Sequence, residues 1–507
     1  MEVILSQAPG ERPEPRRGFV TRHQVTGWRF TLRRAASGVA LHDTRMLVEP
    51  LRSQSRAFGL GLLLLIAGVV GCFVFSLISP VGAANEHAVL ADKATAALYV
   101  RLGDTVHPVL NLASARLIMG RAEDPTWVRG AELDQYRRGN VLGIPGAPER
   151  LEQSAERDAQ WTVCDAAPPP AHGFAPTVTV IAGPLASGEG KAASLSGNAA
   201  VLARTATSAW LIWNGHRARI DLADHAVSSA LGLGSDSPNP RLLSEALVNV
   251  IPEGPQLAVP AISGAGEQPR FALRHPVGSV VAARTLDGKT QNYAVLRDGL
   301  QPVPRVLAAI LRNTNSYGLT SPPMLTPDQI ARIPVVNRID TSVYPADPVS
   351  VINPAAEPVL CARWAKPEGS AVSTLMLLSG AALPVDSPER AVSLVAAGAQ
   401  GVADRVLIAP GTGYLVQIVG QEPASPTREA RFWVSDTGVR YGLDTTGKDN
   451  KTLEALGLRG PSVAIPWSIL RLLANGPTLS RADALLAHDS LPADPRPGRV
   501  PATEAGQ

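Results

Sequence analysis

Residues 58–78 read FGLGLLLLIAGVVGCFVFSLI, an apolar run from Phe58 to Ile78 that is free of charge between Arg56 and Glu86. At about 1.5 Å rise per residue, a helix of this length crosses a hydrocarbon core of roughly 30 Å. A cleaved signal peptide fits poorly, because the run starts late and exceeds the usual h-region of about 7–15 residues. The other alternative is a fully buried helix of a soluble protein. The stretch predicts a single retained transmembrane helix over 58–79.

The flanks orient it. Arg12, Arg16, Arg17, Arg22, Arg29, Arg33, Arg34, Arg45, Arg52 and Arg56 precede the span, and no Lys or Arg follows until Lys93. The positive-inside bias places 1–57 in the cytoplasm and the remainder outside the cytoplasmic membrane. No second apolar stretch of spanning length appears; Ala371–Leu383 is too short and is interrupted by Ser and Gly.

The 507 residues are too many for one core, and a 45% apolar, 18% charged balance is globular. The 44 Pro and 45 Gly favour short strands and turns over long helices. A net charge of +3 excludes a nucleic-acid polycation.

Within the cytoplasmic part, Val25, Trp28, Leu32, Ala36 and Val39 recur at three- and four-residue steps, with Arg22, Arg29, Arg33 and Arg34 on other faces. This spacing predicts a basic amphipathic helix, bent near Gly38. Two readings stay open. The helix rests on anionic headgroups, or it docks on a partner's cytoplasmic domain through Val25, Trp28 and Leu32.

Cys72 lies in the span and reads as a small packing residue, whereas Cys164 and Cys361 share the outer, oxidising side. They are expected to form one disulfide, Cys164–Cys361, with two free thiols as the alternative. Neither has a partner at zinc-ligand spacing, so no metal site is expected.

A pattern recurs outside. Ala97–Gly120, Ala209–Gly234, Tyr293–Asn313 and Phe432–Gly442 each begin with an apolar strand and turn at Gly103, Gly215, Gly299 or Gly438. Each then continues into a second strand and a helical stretch; in the last, the helical stretches are Leu453–Leu456 and Ser468–Asn475. Asn-Gly and Asp-Gly favour two-residue hairpins because both positions tolerate positive φ. The turn glycines are unevenly spaced, which rules out a regular solenoid. Strand-like runs at Thr177–Ile181, Val372–Leu378, Val406–Ile408 and Tyr414–Val419 lie between the copies.

The expected fold is α+β: a single transmembrane helix and an elongated extracytoplasmic domain with four degenerate hairpin-plus-helix repeats around a central β-rich domain. The expected boundaries are a basic cytoplasmic segment 1–57, the span 58–79, repeat 1 at 80–125, and a linker with part of the central domain at 126–200. Repeat 2 follows at 201–250, a connector with repeat 3 at 251–335, more central domain at 336–425, repeat 4 at 426–490 and a disordered tail at 491–507.

TRHQVTGWRF before the span, LYVRLGDTVHPVLNLASARLIMG after it, then GIPGAP (Gly143–Pro148), VVNRID (Val335–Asp340), GTGYLVQ (Gly411–Gln417) and GPTLSRADAL (Gly476–Leu485) occur in that order. Together they resemble the EccB family, core membrane components of mycobacterial type VII (ESX) secretion. The resemblance covers nearly the whole chain. It implies four repeats, similar to the cell-wall-binding subunit of a phage lysin, around a β domain that carries a disulfide. It further implies a scaffold role in one inner-membrane complex with EccC, EccD, EccE and the mycosin protease. EccC resembles an FtsK/SpoIIIE translocase and would be the motor. A cytoplasmic helix and an outer domain tethered to one span further predict that the outer domain associates with copies of itself, and the lysin-like repeats suggest a contact with the cell wall.

Some members of that family carry an ATPase label. Ala283–Thr290, ARTLDGKT, fits a relaxed Walker A pattern with Ala for the first Gly, which would make Gly288, Lys289 and Thr290 the phosphate-binding residues. A working P-loop opens directly into a helix. Here QNYAVL (Gln291–Leu296) follows and reads as a strand, so Asp287-Gly288 is more simply a hairpin turn. Gly183–Ala192 is a weaker near miss. No HExxH or GxSxG occurs, no catalytic residue stands out, and ATP enters as a cofactor by family label alone. Three readings remain: a structural subunit of a secretion complex, an ATPase, or a membrane-anchored cell-wall-binding module.

Overall fold

The computed structural model describes residues 21–42, 50–78, 87–167, 175–234, 237–285, 287–398, 401–445, 451–491 and 497–498. The chain forms two compact units, Met1–Val81 and Gly82–Gln507. Most of the expected tail, 491–507, lies outside the described residues.

Among the described residues, the first unit contains two helices. Arg22–Leu41 starts at Thr21, whose backbone N–H donates to the Gln24 side chain at 2.9 Å. It runs unbroken through Gly38, where a bend was expected, and stops at His42 in the left-handed region. The second helix, Pro50–Ile78, carries the apolar run. Its most apolar stretch, Arg56–Val74, has a mean hydropathy of 2.6, and none of it is buried in the protein. Cys72 is exposed on this helix and packs no protein core.

Among the described residues, the second unit is built from five sheets, four of which share one strand order. In the first segment, strands Val89–Asp92, Leu98–Leu102 and Thr105–Val109 form an antiparallel meander. Helix Leu112–Met119 then carries the chain across, and Thr126–Val128 returns parallel to the first strand. The second segment repeats this path with Ala199–Arg204, Ala209–Trp213, His216–Arg219, helix His225–Ala230 and Arg241–Leu242. The third does so with Val280–Arg284, Thr290–Val295, Leu300–Val303, helix Arg305–Thr314 and Met324–Leu325. The fourth uses Tyr414–Val419, Arg428–Val434, Val439–Gly442, helix Lys451–Leu456 and Val463–Pro466. A parallel return needs a crossover, and the helix supplies it.

The sequence pattern captured the middle of each unit, its glycine hairpin and helix, and left the flanking strands outside the units. Tyr414–Val419, expected in the central domain, instead pairs with Arg428–Val434 and opens the fourth segment. Only the start of Ser468–Asn475 is helical, as Trp467–Leu470; Ala474–Asn475 is a short strand beside Val439–Gly442. Three of the turn glycines have positive φ: Gly103 at 62°, Gly215 at 78° and Gly438 at 78°. Gly299 does not, and its need for glycine is steric: a Cβ there would lie 2.3 Å from the Pro334 carbonyl oxygen.

The fifth sheet is central, with strands Val392–Ser393, Arg405–Leu407, Thr177–Ala182, Ala159–Ala166, Val359–Lys366, Thr374–Gly380 and Ala193–Ser194 in spatial order. Segments two and three interrupt it in sequence and share their own core, where Leu211, Val227 and Leu231 pack with Val306, Leu307 and Ile310. Segments one and four share another, joining Ala115 and Ile118 to Leu415, Trp433 and Leu456. The largest core bridges the central sheet (Trp161, Val163, Leu360, Trp364) to segment two (Val201, Ile212) and segment four (Val416, Ile465). Each fully buried side chain of this size contributes about 1.5–3 kcal/mol, so these shared cores fix how the segments sit on the sheet.

Candidate functional site

On the N-terminal helix, Trp28 is 66% exposed and Leu32 49% exposed, while Val25 is half-buried. Exposed tryptophan and leucine at this spacing leave an apolar stripe without a core of its own. The described residues of Arg56–Val74 are likewise all exposed, the surface expected of a helix whose solvent is lipid.

In the second unit, Cys164 and Cys361 form a disulfide. They stand directly opposite one another on Ala159–Ala166 and Val359–Lys366, and neither is exposed. Ile181, Ala192, Val359, Leu378 and Val385 close around them. The bond therefore clamps the two strands between which segments two and three are inserted.

A polar network that the sequence reading missed lies next to it. Asp165 is fully buried and accepts hydrogen bonds from the Ser244 backbone N–H at 2.7 Å and its hydroxyl at 2.6 Å. Ser244 in turn caps helix Glu245–Val250. The Arg241 guanidinium donates to the carbonyl oxygens of Glu357 and Pro358 at 3.2 and 2.6 Å. Burial pushes the Asp165 carboxyl up to about 6, against the pull of the Ser244 bonds and of Arg241. The available signal was an aspartate inside the apolar strand AQWTVCDA. The network ties segment two to the central sheet and is structural in character.

The Walker-like residues lie on a hairpin. Val280–Arg284 and Thr290–Val295 pair antiparallel, with Arg284 opposite Thr290. Gly288 turns at φ 77°, and the Lys289 ammonium, 83% exposed, lies 3.2 Å from the Asp287 carboxylate. Thr285 donates to Asp287, and this bond, followed by that of Lys289, holds the Asp287 carboxyl below its ordinary range. A strand follows Lys289, so no helix N-terminus stands where a P-loop needs one. Gly183–Ala192 likewise leads into strand Ala193–Ser194. Among the described residues no group of three or more His, Cys, Asp and Glu could hold a metal ion.

Residues 17–493 match the family model described as type VII secretion system ESX-1, transport TM domain B, of the EccB type. The chain belongs to the EccB family. This EccB-family chain is accordingly a structural subunit of the type VII secretion machinery of the membrane. It is 56% identical over 504 residues to the ESX-3 secretion system ATPase EccB3 of Mycobacterium tuberculosis, covering 97% of this chain and 94% of that one. Its identity to the protein of the same name from Mycolicibacterium smegmatis is 54% over 494 residues, covering 96% and 94%. Among solved structures, it is similar to a chain of an intact ESX-5 inner membrane complex, with a TM-score of 0.75 at 37% identity over 95% of this chain and 98% of that one. It also resembles the EccB3 dimer from the ESX-3 core complex, with a TM-score of 0.71 at 49% identity over 79% and 100%.

Proposed function

We propose that this chain is a scaffold that couples the two faces of an ESX inner-membrane complex, with no catalytic step of its own. The observation that carries the reading is the pairing of one apolar helix, unburied along Arg56–Val74, with an outer unit whose shared cores and buried disulfide make it a rigid body. The four sheets with one strand order are degenerate copies of a single repeat around the central sheet. The arginines before the span support a cytoplasmic N-terminus and an extracytoplasmic C-terminus. A reporter active only in the cytoplasm and fused after Gln507 is expected to be silent; activity would reverse the orientation.

The partners expected from the family resemblance are EccC, EccD, EccE and the mycosin protease, with other copies of this chain around the outer unit. The similar solved chains support association: one stands in an ESX-5 inner membrane complex and another is a dimer. The stripe of Val25, Trp28 and Leu32 is the cytoplasmic docking surface in this reading. Trp28→Asp with Leu32→Asp would place unpaired carboxylates in that contact and release the chain from the complex. Native gels of detergent extracts test it: continued migration of the double variant with the complex would leave the helix as a membrane-surface element.

The relatives' printed names include ATPase. The nearer of the two Walker-like stretches forms a hairpin tip and the weaker one leads into a strand, so hydrolysis in a purified complex is assigned to the motor partner.

A further inference from the structure

A cavity of about 350 Å³ lies where one end of the central sheet meets the fourth segment. Its lining brings together three cations that are far apart in sequence: Arg157, Lys366 and Arg428. Lys366 ends the strand Val359–Lys366, opposite Ala159, and is only 8% exposed. Arg157 precedes the paired strand Ala159–Ala166, and Arg428 opens the strand Arg428–Val434 of the fourth segment. Glu368 is the only carboxylate residue in the lining.

The hydrogen bonding of these cations is incomplete. The Lys366 ammonium donates to the Ala371 carbonyl at 2.9 Å, which uses one of its three N–H groups. Arg428 donates to the carbonyl of its neighbour Thr427 at 2.9 Å. The Arg157 Nη1 is sealed from solvent and has no acceptor in the protein. Among the described residues none of the three has a carboxylate within ion-pair distance. Burial and then the Arg428 guanidinium hold the Lys366 ammonium below its ordinary range. In another arginine-lined cavity, beside Ile262 and Leu296, two of the arginines do have carboxylate partners: Arg297 pairs with Glu267 at 2.9 Å and Arg338 with Asp298 at 2.7 Å.

Gathering like charges around one partly buried cavity costs free energy unless a counter-charge completes it. Three donors from separate strands and a loop converge on a volume within the range of small-ligand sites. A planar carboxylate presents two oxygens in one plane, whereas a phosphoryl group offers up to three in a tetrahedral array. We propose that this cavity binds a phosphoryl oxyanion, with Arg157, Lys366 and Arg428 as its donors. The anion would also staple the central sheet to the fourth segment, since the donors come from both. A free phosphate and a phospholipid headgroup carry the same chemistry.

The test uses the full chain in detergent and follows ³¹P line broadening of two probes, inorganic phosphate and dihexanoyl phosphatidylglycerol. The wild type should broaden at least one. Arg428→Gln, at an exposed position on the cavity rim, should weaken that binding at least tenfold without unfolding the protein. Lys289→Gln, on the separate hairpin, should leave it unchanged. Broadening by both probes assigns the site to the phosphoryl group itself; broadening by the lipid alone, when Arg428→Gln abolishes it, assigns it to a headgroup. No broadening by either probe, or the same broadening in the Arg428→Gln variant, overturns the proposal.

Discussion

Replacing Cys164 and Cys361 together with alanine removes a cross-link that closes a loop of 197 residues. In the native fold these residues already face each other in a continuous ladder from Val359–Ala166 to Lys366–Ala159, so the bond adds little order there. Its effect falls on the unfolded chain, which it forbids from separating the ends of the insertion that carries segments two and three. Loop-closure entropy for this length gives about 5 kcal/mol as a ceiling, and losses of about 2–5 kcal/mol are typical when a native bond is removed. Trp161 and Trp364 oppose one another in the same ladder and are both buried, so two of the eight tryptophans report on this ladder directly. Urea unfolding of the full chain in detergent, variant against wild type, should show an earlier midpoint for the fluorescence transition. It should also show a slope no smaller than the wild type's, because the uncrosslinked chain exposes at least as much surface. A loss below about 1 kcal/mol would refute the reasoning, since the unfolded chain would then gain no freedom from the missing bond.

The Asp165 carboxyl, raised from 3.8 to about 6 by burial, gives a signed pH effect. Between those values the native state holds a proton that the unfolded state releases, so the contribution is fully present below pH 3.8 and is lost as pH rises through 6. The full effect is about 3 kcal/mol; Asp165→Asn should flatten this part of the stability profile in denaturant titrations from pH 4 to 7, and an unchanged profile would show that the carboxyl is not perturbed. Lys289→Ala, at an exposed hairpin tip, should change stability by less than about 0.5 kcal/mol and leave secretion intact. Any ATP hydrolysis of the purified complex should be unaffected, and its loss on this substitution alone would restore a nucleotide role to the hairpin.

Local chemistry alone was enough to mark the membrane helix, because a charge-free run of that length has one favourable solvent. It also marked three hairpins through glycines that tolerate positive φ, the possibility of one outer disulfide, and a strand after Lys289 that opposes a P-loop. The family was legible because its motifs stand in order along nearly the whole chain. Other features required the folded chain. The first and last strands of each four-stranded unit are short or carry little alternation, so only their partners assign them to a unit; Tyr414–Val419, strand-like in sequence, joined the fourth segment because Arg428–Val434 pairs with it. Gly299 looked like another positive-φ turn and is glycine because Pro334 passes over it. Asp165 meets Ser244, and Arg157 shares a cavity with Lys366 and Arg428, across separations on which local periodicity carries no information. Composition and spacing encode what a residue and its near neighbours do in water or lipid. Which distant strands share a ladder, and which charges are left facing one another, is decided only when the cores between segments close.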